Sequence, residues 1–308
     1  MSAGVSPSRM PMMPGLPSPE HARRDIRSLA VTVYVPQSPL RQPGKLLRSM
    51  FTDLLASREL AWRLFVRDTS AQYRQSFLGY LWAFLPPLAT AAIFTFLNSQ
   101  QILNVGATAI PYPAFVVIGT LLWQTFVDAL NSPLKAVSGA RAMLSKINFP
   151  HEALFLGGAT DVLFNTLVRS TLLVPVFLYY GLHVSPSALL LPAGVLALLV
   201  LGVSIGMWLV PLGSLYTDVG RGVTLIAALW MLLTPVVYPP PRSGLGAFLA
   251  KWNPVSPVVL TARQWLTGEP VTDLRAFLAV TAAAVVLLFL GWVVVRVSLR
   301  HVIERIGN

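Results

Sequence analysis

Three polar side chains interrupt an otherwise apolar run: Asp161, Asn165 and Arg169. At i, i+4 and i+8 they stand one above another on a single helical face. An ionisable group at the centre of a bilayer costs at least about 2.5 kcal/mol, so such a stripe must meet protein or water rather than lipid. Two uses fit it. One is a hydrophilic path; the other is an intramembrane seam in which Asn165 bridges the charges and ties its helix to a neighbour.

The other reactive residues assemble into nothing catalytic. His151-Glu152 is half of a zinc peptidase motif, but position 155 is Phe, so the second ligand is missing. The remaining His21, His183 and His301 are scattered, and the twelve carboxylates hold no Asp-x-x-Asp pair for magnesium. Gly44-Lys45 lacks the upstream glycine and following hydroxyl of a phosphate-binding loop. The chain is therefore expected to carry no enzyme site, metal or cofactor. ATP and Mg, if used, would be bound by a partner subunit.

Aromatic residues offer a different chemistry. Tyr80, Trp82 and Phe84 enter the first apolar block, and Trp230 and Tyr238 lie in the fifth. Most membrane Trp and Tyr belong to belts at the two interfaces, but Trp230 is about mid-block, too deep for a belt. Aromatic faces stack on the C–H surfaces of sugar rings, so a deep aromatic lining would suit a carbohydrate path.

What must position these residues is a set of six apolar blocks between about Gly79 and Val297: 79–97, 113–130, 153–180, 188–215, 222–238 and 274–297. About 20 apolar helical residues cross a hydrocarbon core of about 30 Å. In lipid each backbone amide must bond within its own segment, so the blocks are predicted as helices. Composition agrees, with 55% hydrophobic and only 11% charged residues and a mean hydropathy of +0.65. The net charge of +11 does not point to nucleic acid, because 11 of the 23 Lys and Arg precede the first block. That placement is the positive-inside signal. The expectation is a multi-pass protein of a bacterial inner membrane with both termini cytoplasmic. The loop from Pro239 to Thr272, with Arg242, Lys251 and Arg263, obeys the rule only in part. Cysteine is absent, so no disulfide framework exists.

Outside the blocks, residues 1–45 are rich in Pro, Ser and Met and are expected to be a disordered cytoplasmic segment. They contain no apolar core of a signal peptide. Residues 54–77 read as an amphipathic helix rich in Arg and aromatics, lying in the headgroup plane or packed on a partner subunit. Pro239-Pro240-Pro241 breaks the fifth block, and two short helices are predicted before Thr272. Gly202 and Gly206 form a small-xxx-small packing pair, and Pro86-Pro87, Pro175, Pro211 and Pro235 are expected to kink four spans. Residues 46–300 thus make one all-α transmembrane domain, followed by a cytoplasmic tail, 301–308.

These pieces resemble a known family. Arg67 to Pro87, Arg-Asp-Thr-Ser-Ala-Gln-Tyr-Arg-Gln-Ser-Phe-Leu-Gly-Tyr-Leu-Trp-Ala-Phe-Leu-Pro-Pro, is similar to the amino-terminal signature of type-2 ABC exporter permeases for polysaccharides. Ile118–Trp123, Lys146–Pro150, Asp218-x-Gly-Arg221, Thr234–Pro239 and Trp252–Pro257 also resemble family segments, in the expected order. The resemblance covers about Leu54 to Arg300; the longer Pro/Met-rich amino terminus departs from it. It implies a homodimer with two ATPase subunits, exporting a lipid-linked polysaccharide such as O-antigen, capsule or teichoic-type polymer. It also implies that Lys135, Arg141, Lys146 and Phe149 lie in a coupling helix docked on the ATPase. The first and fifth spans would line a channel, gated by helices at 243–266. Arg67, Arg74 and Arg221 would then meet an anionic anchor at the cytoplasmic mouth, since Arg binds phosphate oxygens bidentately; anchoring to anionic membrane lipids is the competing use. A permease for a small lipophilic drug or lipid would share the architecture. A membrane-embedded phosphosugar transferase would need carboxylates or His gathered at one face.

Overall fold

The computed structural model describes residues 43–74, 79–103, 105–140, 143, 150–241 and 243–306. The chain divides into Met1–Pro43 and Gly44–Asn308. The expected disordered segment, 1–45, lies almost wholly outside the described residues. In the larger unit every regular element is helical, and no strand forms among the described residues.

Two helices come first, α1 (Pro43–Ala56) and α2 (Arg58–Arg74). They meet at Ser57, whose Oγ donates to the carbonyl of Asp53 at 2.5 Å. That back-bond competes with the helical ladder and bends it. The predicted single helix over 54–77 is thus the end of α1 plus α2. Ala61, Leu64, Phe65 and Thr69 form the buried face of α2, at helical spacing, while Trp62 and Val66 stay exposed.

A 3-10 turn, Gly79–Ala83, leads into α3 (Leu85–Ser99). Gly79 opens it at φ +50, a left-handed value that suits glycine. Pro86 and Pro87 sit in the first turn of α3, where amide hydrogens have no helical partner anyway, so they start the helix rather than kink it. Next comes α4 (Tyr112–Gly139), which passes through Pro133 without ending. Lys135, the first residue of the expected coupling helix, therefore lies in the last turns of α4, while Arg141, Lys146 and Phe149 fall outside the described residues. Pro133 packs against α7 at Gly206, where an added Cβ would lie 3.0 Å from its ring.

The third block forms α5 (Glu152–Ser170) and α6 (Leu173–Tyr180), broken at Thr171 because Pro175 offers no amide to Thr171. After a second 3-10 turn, Pro186–Leu190, come α7 (Leu191–Leu215) and α8 (Asp218–Leu233). Pro211 lies within α7, whereas Pro235 ends α8 by forcing Thr234 into an extended conformation. Helices α9 (Gly244–Trp252), α10 (Val255–Thr267) and α11 (Leu274–Ile306) complete the unit.

Four segments are long and apolar enough to cross a membrane: Tyr112–Gly139, Glu152–Tyr180, Pro186–Leu215 and Leu274–Leu299. The first and fifth predicted spans are shorter helices, α3 and α8, of 15 and 16 residues. Helix α4 is the axis of the bundle: 78% of its apolar window is buried inside the protein, against 17% for α11. Its closest partner is α7. At Gly202 an added Cβ would stand 2.6 Å from Ala129 Cβ and 2.7 Å from the carbonyl oxygen of Phe126. Small residues let the two backbones meet there.

Candidate functional site

Helices α2, α4 and α5, with the 3-10 turn before α3, wall a cavity of about 590 Å³. The stripe Asp161–Asn165–Arg169 forms one side of it. Thr69 Oγ1 on α2 donates to Asp161 Oδ1 at 3.2 Å, and Asn165 Nδ2 donates to Asp161 Oδ2 at 3.1 Å. Arg169 reaches across to α4, where its Nη2 is ion-paired with Asp128 Oδ2. Beside this pair the Thr125 and Thr166 hydroxyls are 3.1 Å apart, so α4 and α5 are joined by polar contacts over successive turns. The stripe thus binds neighbouring helices together and also lines the cavity.

Asp128 and Gln124 are the cavity residues that sequence reasoning missed. The signal was there for Asp128, a lone carboxylate inside the second apolar block. Its partner lies 41 residues away on another helix, a distance that no local spacing reveals.

Of the aromatic set, Trp82 stands on the cavity wall and is 55% exposed. Tyr80 packs edge-on against Phe164 at 6.3 Å, and Phe84 is half-buried just before α3. Trp230 lies elsewhere, at 5.4 Å from Phe126 and 6.4 Å from Trp123 in the bundle core. Its indole N–H donates to Asn253 Oδ1 at 3.1 Å. Asn253 also bonds Thr234 Oγ1 at 2.8 Å and the amide of Val255 at 3.0 Å, fastening the end of α8 to the start of α10. The Tyr238 hydroxyl turns back to the carbonyl of Leu232. No ring contact joins Trp82 to Trp230 among the described residues.

The three arginines separate as well. Arg67 lines the cavity and pairs with its neighbour Asp68 at 2.7 Å. Arg221 is highly exposed beside Asp218 at the start of α8. The side chain of Arg74 lies outside the described structure, as do Arg141, Lys146 and Phe149. Lys135, expected in the coupling segment, is on α4 at the rim of the cavity. Among the described residues no group of three or more His, Asp or Glu gathers as a metal site.

Two further charge clusters hold the ends of the bundle. Arg263 on α10 is 2% exposed; it donates to the carbonyls of Pro235 and Val236 at 3.2 and 2.7 Å and lies 3.8 Å over the Phe115 ring. Arg296 on α11 binds both Glu152 and Asp53.

Four helical segments of spanning length and apolar composition mark a multi-pass membrane protein. Residues 59–267 match the ABC-2 type transporter family, and the chain belongs to it. It is 28% identical, over 245 residues, to the O-antigen export system permease protein RfbA of Myxococcus xanthus, a match covering 77% of this chain and 91% of the relative. It is 24% identical, over 204 residues, to the protein of the same name from Klebsiella pneumoniae, covering 64% and 76%.

Proposed function

We propose that this chain is the permease subunit of an ATP-driven exporter that carries a lipid-linked polysaccharide of the O-antigen class across the bacterial inner membrane. The observation that carries the reading is the similarity to O-antigen export permeases over 77% of the chain. Two copies would form the passage, and two separate ATPase subunits, with their ATP and Mg, would drive it. Membrane lipids surround the exposed apolar face of α8, where Leu225, Ile226, Leu229 and Leu232 point outward, or a second copy covers it.

In this reading α3 and α8 also cross, giving six spans. The 3-10 turn lengthens the first, so 79–99 offers 21 residues end to end. The basic residues before Gly79 support a cytoplasmic amino terminus, and six crossings would return the carboxyl terminus there. Helices α9 and α10 then lie on the outer side, where Asn253 and Arg263 hold them against the end of α8. Lys135 and the segment through Phe149 lie on the cytoplasmic side and meet the ATPase. Arg67, Arg74 and Arg221 act once per chain on the anionic lipid anchor. Sugar rings pass over aromatic faces, each stacking contact contributing about 0.5–1.5 kcal/mol by analogy with aromatic pairs. Such weak contacts let a polymer move on.

The test is deletion of the gene in a strain with no second exporter. Loss of surface polymer, restored by the wild-type gene, is the expected result, and the purified chain alone should hydrolyse no ATP. Normal surface polymer with altered drug tolerance would replace this reading with drug export.

A further inference from the structure

The cavity between α2, α4 and α5 has the size of a ligand site. Small-molecule sites span about 300–1,000 Å³, and this one measures about 590 Å³. Its lining is mixed, with Leu64, Phe65, Leu154 and Val162 beside Gln124, Asp128, Asp161 and Asn165, which suits a ligand with both polar and apolar faces better than an acyl chain. It also argues against a multiply charged ligand. Arg67, Lys135 and Arg169 are balanced by Asp68, Asp128 and Asp161, three against three. Two of the cations are already paired, Arg67 with Asp68 and Arg169 with Asp128.

Some polar capacity in the cavity is unspent. The Gln124 side chain makes no hydrogen bond among the described residues, and Lys135 forms no ion pair among them. Asp161 and Asn165 bond each other and retain lone pairs on the carboxylate, since each carboxylate oxygen accepts more than one hydrogen bond. Trp82, 55% exposed, supplies an aromatic surface on the same lining. A ligand matched to this wall has many hydroxyl groups, little net charge and one apolar face. A sugar ring has all three.

We propose that this cavity is a saccharide subsite within each protomer, holding one or two sugar units of the exported chain. Trp82 stacks on the ring's C–H face, while Gln124, Asp161 and Asn165 bond its hydroxyls. The inference rests on the polysaccharide reading. It adds to that reading a place where the permease samples the glycan itself, apart from the Trp230 cluster, with Arg67 of the anchor set on its wall.

Because the chain contains no cysteine, one introduced thiol reports on the cavity without background. Ala136→Cys, on the cavity wall, is treated with N-ethylmaleimide in cells that make the polymer and in sister cells blocked in its synthesis. Labelling several-fold slower in the polymer-making cells is expected. Ser138→Cys, exposed on the same helix outside the cavity lining, should label equally in both. Ser132→Cys, a one-atom change on the same wall, serves if Ala136→Cys does not accumulate. Equal labelling of the cavity thiol in both strains while export proceeds overturns the subsite. Equally slow labelling in both overturns it too, since the occupant is then a resident lipid. Neither result touches the exporter reading, which stands or falls on the gene deletion.

Discussion

Arg169 of α5 is ion-paired with Asp128 of α4, and both lie inside helices long and apolar enough to cross a membrane. The pair is only part-buried, the Asp128 side chain being 26% exposed. Removing one partner leaves an uncompensated charge but should cost less than about 3–5 kcal/mol, the cost in a fully buried pair, whereas removing both can be nearly neutral. Arg169→Gln and Asp128→Asn should each lower the amount of folded permease in the membrane. The double variant should recover much of it. Thermal unfolding in detergent, followed by size exclusion, measures the three; additive losses in the double variant would contradict the pairing.

The α4–α7 contact makes a steric prediction. An added Cβ at Gly202 would stand 2.7 Å from the Phe126 carbonyl and 2.9 Å from the Leu130 amide, both backbone atoms that cannot step aside. Overpacking of this kind costs about 1–3 kcal/mol. Gly202→Ala should therefore unfold at lower temperature than wild type. Gly220→Ala, with nothing within 4 Å of the new carbon, should match wild type or exceed it, since alanine is the better helix former by about 1 kcal/mol.

Arg263 supplies a prediction about the outer helices. Its guanidinium carbon stands 3.8 Å from the Phe115 ring centre while Nη2 bonds the carbonyls of Pro235 and Val236. Both bonds come from one nitrogen, so a lysine keeps the charge and has donors for the carbonyls but loses the guanidinium over the Phe115 ring. Arg263→Lys should therefore destabilise the protein, but less than Arg263→Met, which loses the donors as well. A double-mutant cycle with Phe115→Leu should return a coupling of about 0.5–2 kcal/mol, the range of cation–π contacts. A coupling near zero would mean that the ring only fills space.

Much of this architecture was legible from local pattern, and the exceptions have a common cause. The apolar runs gave α4, α7 and α11 because length and hydropathy are properties of contiguous sequence. The small pair Gly202 and Gly206 was readable for the same reason. The prolines were harder. Pro86-Pro87 and Pro235 look alike in sequence, yet one starts a helix and the other ends one. The outcome depends on whether neighbours continue the ladder. The cavity was least legible. Asp161, Asn165 and Arg169 announce a polar face by their spacing, but Thr69, Gln124 and Asp128 join them from other helices. Only the packing of α2 and α4 brings them there. The same applies to Trp82 and Trp230, similar as sequence signals and placed in separate environments.

The last prediction concerns Arg296, which joins three elements. Its guanidinium binds Glu152 at the start of α5 and Asp53 on α1, and its Nη2 also donates to Ser49 Oγ at 3.2 Å. Trp292, one turn earlier on α11, donates to the same Glu152 oxygen at 3.3 Å. Glu152 is 4% exposed, so its charge has almost no water to fall back on, whereas the Asp53 side chain is 38% exposed. Desolvation therefore sets an order. Arg296→Met orphans two carboxylates, one of them buried, and should be the most damaging. Glu152→Gln removes the buried charge but keeps an acceptor for Trp292, so it should cost less. Asp53→Asn should cost least, near the about 0–1 kcal/mol of an exposed pair. Unfolding temperatures of the three variants, measured side by side in one detergent, check the ranking. If Asp53→Asn proved as damaging as Arg296→Met, the cluster would be held by α1 rather than by Glu152.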